Sequence, residues 1–234
     1  MLVTLHGIAR AAALARRVGT DHSGLALIEF AYALPLLLTI ALAGTEVANL
    51  AITVLRVNQL AMLAADNAAR VRSSIDDTDI NEIMTGMRFA GSGIKFGNYG
   101  RVIISSLQAN GQTGNKAGYK IDWQRCFGAK STTSNYGVAG TGATTAAIPY
   151  GVKPGGLATN VAEGTVPTPN GALITAEITY TYHPLIAPAF MAQRDLHATQ
   201  TFPVRDRAQQ TLTNNTAIAT ANQRLCDNNH LSAT

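Results

Sequence analysis

Few residues in this sequence have the types and spacing that catalysis or metal binding requires. The histidines are the first candidates. The five histidines are scattered along 234 residues, without the HxxxH or HExxH spacing that places two metal ligands on one helix face. His183 and His197 could lie on paired strands, but we interpret both as surface histidines. The glycine-rich stretch 137–142 lacks the Lys-Ser/Thr pair of a phosphate-binding loop, and no GxSxG motif is present. We predict no catalytic residue, no metal and no cofactor, and expect that the protein is not an enzyme.

Glu29 is the one charged residue in an apolar stretch that runs from Gly24 to Gly44. As a helix, Leu25–Ala43 would be about 28 Å long, close to the ~30 Å hydrocarbon core of a bilayer. A soluble core helix has no need of so long a run without a polar face, so we predict a transmembrane helix. An acidic side chain at the centre of a membrane helix costs about 2.5–3.5 kcal/mol on insertion scales. Glu29 therefore needs a partner, or a position close to the membrane surface.

Two interpretations of Glu29 stay open on physical grounds. Cleavage after Gly24 would create an α-amine on Leu25, and Glu29 would then be the fifth residue of the mature chain, about one helical turn away. Such an amine, supplied by a neighbouring subunit, would neutralise the carboxylate. Alternatively, the Glu29 side chain extends to the cytoplasmic interface of the membrane.

The segment before the apolar stretch is a basic leader. It carries Arg10, Arg16 and Arg17 against a single acidic residue. Positive residues next to a membrane helix hold that end in the cytoplasm, so the C-terminal bulk of the chain is predicted to lie outside. A signal peptide cut near Ala43, which would discard the span, is a weaker alternative because the apolar run is too long for one.

Composition and the cysteines favour a domain in an oxidising compartment. Charged residues make up 14% and aromatic residues 6% of the chain, and the net charge of +4 falls to +2 without residues 1–24. The mature surface is therefore no basic patch, and we expect no nucleic-acid partner. Cys126 and Cys226 have no CxxC spacing and suggest one disulfide. Two unpaired buried thiols are the alternative.

The helix is predicted to continue beyond Gly44 as an amphipathic helix, to about residue 72. Apolar residues repeat there at alternating spacings of four and three, which is an a/d heptad pattern. The small residues of this seam permit close approach of another helix or of a sheet. Glu46 is expected to be solvated. A short loop near Gly44 between two helices is the alternative. The seam consists of Leu50, Val54, Val57, Ala61, Ala64, Ala68 and Val71.

The remaining chain predicts a small α+β domain. A polar turn at 73–78 precedes a capping box at Asp79–Glu82 and a short helix that ends before Gly91. Alternation of apolar and polar residues then predicts a small antiparallel sheet, in which Ala172–Tyr182 is the clearest half-buried strand. A long irregular loop (128–171) and a polar tail from Asp206 complete the domain, with Cys226 pinning the tail to the strand that bears Cys126. The four predicted strands are Arg101–Leu107, Tyr119–Phe127, Ala172–Tyr182 and Leu196–Val204.

The first part of the chain resembles a known family. Gly24–Phe30, with a glycine, four apolar residues, a glutamate and an aromatic residue, resembles the prepilin peptidase site of type IV pilin-like proteins. The longer stretch 23–38, the stretch 59–70 and Glu46 resemble the TadE-like pseudopilins of tight-adherence (Flp) pilus systems. The resemblance covers about residues 22–72, under a quarter of the chain.

The resemblance implies an inner-membrane protein with a pilin-like α+β fold, which an aspartic prepilin peptidase cleaves between Gly24 and Leu25. Phe30 would complete the processing motif, and Glu29 would neutralise the N-terminal amine of a neighbouring pilin or pseudopilin subunit. The implied function is assembly or initiation of a tight-adherence pilus used in adhesion, as a minor pilin or pseudopilin. Leu25 replaces the phenylalanine usual at the first mature position of pilins, which leaves N-methylation open but not cleavage.

A function from another class is the alternative. The chain would then be an uncleaved, single-pass membrane-anchored protein that binds an envelope partner. In both cases we expect a cytoplasmic leader (1–24), a transmembrane and amphipathic helix (25–73) and a periplasmic or extracellular α+β domain (74–234).

Overall fold

The computed structural model contains a helix of 48 residues, α1 (Ser23–Arg70), followed in sequence by shorter elements. It describes residues 23–113, 118–144, 171–186 and 191–233. By its internal contacts the chain forms two units, one ending at Ala48 and the other beginning at Asn49. The predicted α+β class is confirmed, because the described residues combine this helix and short helices with a four-stranded antiparallel sheet.

The elements after α1 alternate little between helix and strand: two short helices come early, and strands dominate afterwards. The chain also has 3₁₀ turns at Ser92–Ile94, Thr220–Asn222 and Asn228–His230. In chain order the helices and strands are β1 (Ser73–Asp76), α2 (Asp77–Ala90), α3 (Phe96–Tyr99), β2 (Gly100–Ala109), β3 (Tyr119–Phe127), β4 (Ala172–Tyr182), β5 (Arg194–Pro203) and β6 (Arg207–Thr213).

The described part of the first unit is the N-terminal part of α1, whose surface is apolar. Its large apolar side chains between Leu25 and Leu42 are 37–82% exposed. Leucine and alanine, which dominate this sequence, are strong helix formers. The helix passes Gly44 without a break, which confirms the predicted continuous helix and rules out the loop considered there.

In the second unit, α1 buries a stripe that is broader than the predicted heptad seam. Val54 is 36% exposed, so the seam is wrong at that position. A broad stripe is typical of a helix on a globular core, whereas a narrow seam belongs to a coiled coil. The buried side chains of the stripe and residues of the sheet belong to one hydrophobic core. Its buried members are Val57, Ala61, Ala64 and Ala68 on the seam and Leu60, Ala65 and Ala69 beside it.

The main sheet has the strand order β3-β2-β4-β5, and each neighbouring pair is antiparallel. All four strands were predicted, with ends within two residues of those observed. One face of the sheet, which we call the inner face, carries Ile174 and Ile178 and shares the core with α1. The opposite side, with Leu173, Thr175 and Glu177, is the outer face.

Strand β4 is buried on both faces, although its alternating sequence predicted a half-buried strand. Residues 172–178 are all buried. The loop after β3 covers the outer face: Tyr136 packs with Leu173 in a second apolar cluster, and Glu177 accepts a hydrogen bond from the backbone N–H of Asn135 at 2.9 Å. Polar outer-face residues are therefore enclosed by this loop.

A second, two-stranded sheet pairs β1 with β6 in parallel, and neither strand was predicted. The expected polar turn at 73–78 and the start of the expected polar tail form these strands instead. Polar contacts hold them: Thr213 Oγ1 donates to the carbonyl of Ile75 at 3.0 Å, and Trp123 Nε1 donates to the carbonyl of Gln210 at 3.0 Å. Hydrophobic periodicity gives no signal for strands stabilised in this way.

Helix α2 begins earlier than the predicted capping box at Asp79–Glu82, which is wrong in register. The N-cap is Asp76, which accepts from the Thr78 N–H at 3.0 Å, while Asp79 accepts from the Asp76 N–H at 2.9 Å. Aspartate thus takes the position where glutamate or glutamine is usual. The predicted apolar face of α2 is buried at Ile80, Met84 and Met87, with Ile83 half-buried.

Candidate functional site

The predicted cleavage position lies in the first turn of α1, which begins at Ser23. A Cβ atom built on Gly24 would have no neighbour within 4 Å, and Leu25 is 55% exposed. The peptide bond between Gly24 and Leu25 is therefore not covered by other described residues. Residues 1–22 of the predicted basic leader (1–24) lie outside the described residues.

Glu29 lies one helical turn after Leu25, and residues four apart share one face of a helix. Both Glu29 and the following Phe30 are exposed. None of the ion pairs found among the described residues includes Glu29. The helix is long and apolar enough to cross a membrane, so α1 is a candidate membrane anchor near the N-terminus. The four predicted processing residues are therefore all exposed at the start of this candidate anchor.

The predicted disulfide is present, and it fixes the C-terminal segment to the sheet. Cys126 at the end of β3 is bonded to Cys226, with the two Cα atoms 4.9 Å apart and a sequence separation of 100. The backbone N–H of Cys126 also donates to the carbonyl of Arg224 at 2.7 Å. The alternative of two unpaired thiols is therefore wrong. The sequence-based expectation that Cys226 holds the tail against β3 is confirmed.

The three histidines in the described part of the chain do not come together as a site. His197 is exposed on β5, and His183, just after β4, is half-buried, with its ring centre 3.9 Å from that of Tyr99. His230 pairs with Asp227 at 2.5 Å near the C-terminus. Among the described residues, no group of three or more His, Cys, Asp or Glu could hold a metal ion. His6 and His22 lie outside that part of the chain.

Two glutamates, Glu46 and Glu177, are more deeply buried than the sequence suggested. Glu46 is 1% exposed, so the expectation of a solvated carboxylate is wrong. Glu177, which sequence reasoning treated only as the polar side of a strand, is 6% exposed. Burial raises the pKa of Glu177, although hydrogen bonds from Ser134 and Asn135 oppose the rise. The available signal was a carboxylate between Thr175 and Thr179 on one face of a strand, but the alternation of apolar and polar residues assigned that face to solvent.

A polar cavity of about 330 Å³ adjoins Glu177 on the outer face. Threonines of β4, β5 and the loop after β3 line much of it. The outer face also carries a buried hydrogen-bonded row, in which Gln124 Nε2 donates to Ser105 Oγ at 2.9 Å and the hydroxyls of Thr175 and Thr201 lie 2.8 Å apart. Hydroxyl and carboxylate oxygens can accept hydrogen bonds from a ligand, so this cavity can bind polar groups.

Comparisons with protein-family models, with curated proteins and with solved structures find no match. The function is therefore inferred from the residues and geometry of the chain itself.

Proposed function

We propose that the protein is a TadE-like minor pilin or pseudopilin, which takes part in the assembly or initiation of a tight-adherence pilus after cleavage between Gly24 and Leu25. The observation that carries this proposal is the register of Gly24, Glu29 and Phe30 in the first two turns of an exposed apolar helix. A plain membrane anchor needs no glutamate at this position, because hydrophobic length alone is sufficient.

The unpaired state of Glu29 among the described residues supports a role between subunits. A carboxylate in a membrane segment is costly, and a positive partner reduces the cost. Cleavage creates such a partner, the α-amine of Leu25, on every processed subunit. Glu29 of one subunit then neutralises the amine of its neighbour, while unprocessed chains lack that amine.

The exposed apolar surface of α1 suits two successive surroundings, the lipid of the membrane before assembly and other pilin helices after it. Apolar side chains exposed over so long a segment need lipid or other helices around them. In the inner membrane lipid covers them, and in an assembled pilus the helices of other pilin subunits do. In the second unit the buried stripe of α1 already packs on the chain's own sheet, so subunit contacts there use the opposite side, where Ile52, Leu55 and Met62 are 46–62% exposed.

The proposed topology has the leader in the cytoplasm and the α+β domain in the periplasm. The arginines before the apolar segment favour this orientation, because positive residues are retained on the cytoplasmic side. The disulfide supports it independently, since disulfides persist in oxidising compartments such as the periplasm. After assembly the domain would be displayed on the pilus.

An uncleaved, membrane-anchored binding protein is the second candidate. The cavity beside Glu177 favours it, because a polar pocket on the α+β domain suits a protein that binds an envelope partner. The two candidates differ in one event, the removal of the leader.

Co-expression of the full chain with a prepilin peptidase tests the proposal. We expect a shorter product with the active peptidase and none with a peptidase whose catalytic aspartates are replaced. Gly24→Val should block this product, because the residue before the cut must be small. Gly44→Val is the matched control: it also adds a side chain in open space on α1 and should be processed normally. An unshortened wild-type chain beside active peptidase would favour the anchored binding protein.

A further inference from the structure

The cavity on the outer face is built around a buried carboxylate. Glu177 on β4 is 6% exposed, and it accepts hydrogen bonds from the Ser134 hydroxyl and, at 2.9 Å, from the Asn135 N–H. No Lys, Arg or His forms an ion pair with it among the described residues. Buried carboxylates are rare unless a cation pairs with them. Among the described residues, the basic side chain on the cavity wall is His197, whose Nδ1 lies 3.2 Å from the hydroxyl of Thr179, so the carboxylate of Glu177 has no cationic partner there.

The same pair of strands shows how this fold holds a cation. Thr181 of β4 lies opposite Asp195 of β5, and the Lys130 ammonium sits between them, 2.7 Å from Thr181 Oγ1 and 3.0 Å from Asp195 Oδ1. Four residues along each strand, Glu177 lies opposite Thr199. This second pair offers the same acceptors, one carboxylate and one threonine hydroxyl, on the same face. It opens into the cavity, and no lysine lines that cavity among the described residues.

We propose that the cavity beside Glu177 is a binding site for a primary ammonium group, such as the head of a lysine side chain or of an alkylamine. The carboxylate neutralises the charge, and two hydroxyls on the cavity wall accept the remaining N–H groups: that of Thr199, and that of Thr179, which also contacts Nδ1 of His197 and keeps a lone pair for the ligand. A guanidinium fits less well, because it pairs with both oxygens of a carboxylate and those of Glu177 already accept hydrogen bonds. This inference does not depend on cleavage at Gly24.

The test is a titration of the full-length protein in detergent micelles with n-butylamine at about pH 8, where an alkylamine remains charged. Backbone amide shifts of Thr179, Thr199 and Asn135 are followed by NMR. We expect saturable shifts with n-butylamine, none with the uncharged n-butanol and weaker ones with n-butylguanidine. Nα-acetyl-lysine amide distinguishes the sources: it shifts the same amides if the cavity admits a lysine side chain, whereas shifts with n-butylamine alone restrict the site to small amines.

Glu177→Gln keeps the shape of the side chain and removes its charge, so it should weaken n-butylamine binding at least about tenfold. Glu82→Gln, the same change on an exposed residue of α2, should leave binding unchanged. If Glu177→Gln does not fold, Thr199→Val takes its place, with an expected weakening of roughly threefold or more from the lost acceptor. Equal affinity in wild type and in the folded variant overturns the proposal.

Lys116 and Lys153 lie outside the described residues, so their variants test whether an ammonium of the chain itself competes with the added amine. Lys116→Gln and Lys153→Gln are therefore titrated in parallel. Binding that appears only in one of these variants supports the site and identifies that lysine as its occupant. The absence of saturable shifts in wild type and in both variants overturns the proposal.

Discussion

Arg125 and Asp77 form a two-point ion pair that joins β3 to the first turn of α2. Arg125 Nε and Nη2 donate to the two carboxylate oxygens of Asp77 at 2.6 and 3.1 Å. The two side chains are only 14% and 3% exposed. The carboxylate also lies at the N-terminus of α2, where the helix dipole favours negative charge. The pair therefore positions α2 on the inner face of the sheet.

Removing one partner of this ion pair should be strongly destabilising. Arg125→Met leaves the buried Asp77 carboxylate without its cation, so we expect a loss of about 3–5 kcal/mol in the free energy of unfolding, measured by urea titration. The double variant Asp77→Asn/Arg125→Met should recover much of this loss. Lys120→Met, which breaks the more exposed pair with Asp122, is the control and should cost less than about 1 kcal/mol. Similar losses in the two single variants would contradict a buried pair.

The disulfide should contribute much of the stability of the second unit. Cys126 and Cys226 are separated by 100 residues, and the chain-entropy relation gives about 4.7 kcal/mol for such a loop. We expect Cys126→Ser to lower the free energy of unfolding by roughly 2–5 kcal/mol. Wild type with reductant should resemble the variant, and reductant should leave the variant unchanged. A wild-type protein that is insensitive to reductant would show that the bridge is not formed.

Asp76 should make stability depend on acid pH. Burial alone would raise its pKa, but hydrogen bonds from Thr78, Asn215 and Thr213 outweigh this and lower the pKa to about 2. Because the folded value lies below the ordinary one, the native state binds protons less readily than the unfolded state. The stabilisation is complete above about pH 4 and is lost as the pH falls towards 2.

Asp76→Ala should remove this acid dependence together with the N-cap of α2. A lost N-cap costs roughly 0.5–2 kcal/mol, and the contacts of Asp76 with Thr213 at the end of β6 and with Asn215 after it add to that cost. Thermal unfolding of wild type and variant between about pH 2 and pH 6 measures the difference. The stability gap should narrow as the pH falls. A constant gap over this range would show that Asp76 does not titrate with folding.

Glu29→Ala should abolish pilus assembly while leaving membrane insertion intact, if the proposed role between subunits is correct. The substitution makes the apolar segment more apolar, so we expect the helix to insert into the membrane normally. Membrane fractionation measures insertion, and electron microscopy of cells with the rest of the pilus system measures assembly. Glu82→Ala, on the exposed side of α2, is the control. Normal pili from the Glu29 variant would remove the proposed pairing.

The sequence predicted the helix α1 and the main sheet well, because both carry strong periodic signals. The alternation of apolar and polar residues at Ala172–Tyr182 predicted both ends of β4 correctly. The same alternation gave the wrong burial, since the covering loop around Tyr136 is encoded far from β4 in the chain. β1 and β6 were missed because their few residues are mostly polar and are held by hydrogen bonds of Thr213 and Trp123.

The candidate sites also differ in how far the sequence alone could predict them. Gly24 and Glu29 form a local motif, which can be recognised within seven residues. The Cys126–Cys226 pair was predictable because the chain contains only two cysteines. Glu177 was not predictable as a site, since its burial and its cavity arise from a loop and a strand more than 30 residues apart in sequence.

The N-terminal residue of the mature protein is the most direct test of the proposed function. The protein is extracted from membranes of cells that hold an active pilus system, and its N-terminal peptide is identified by mass spectrometry. The proposed function predicts a chain that begins at Leu25, with the Cys126–Cys226 bridge intact in the same sample. A chain that retains Met1 in these cells would contradict it.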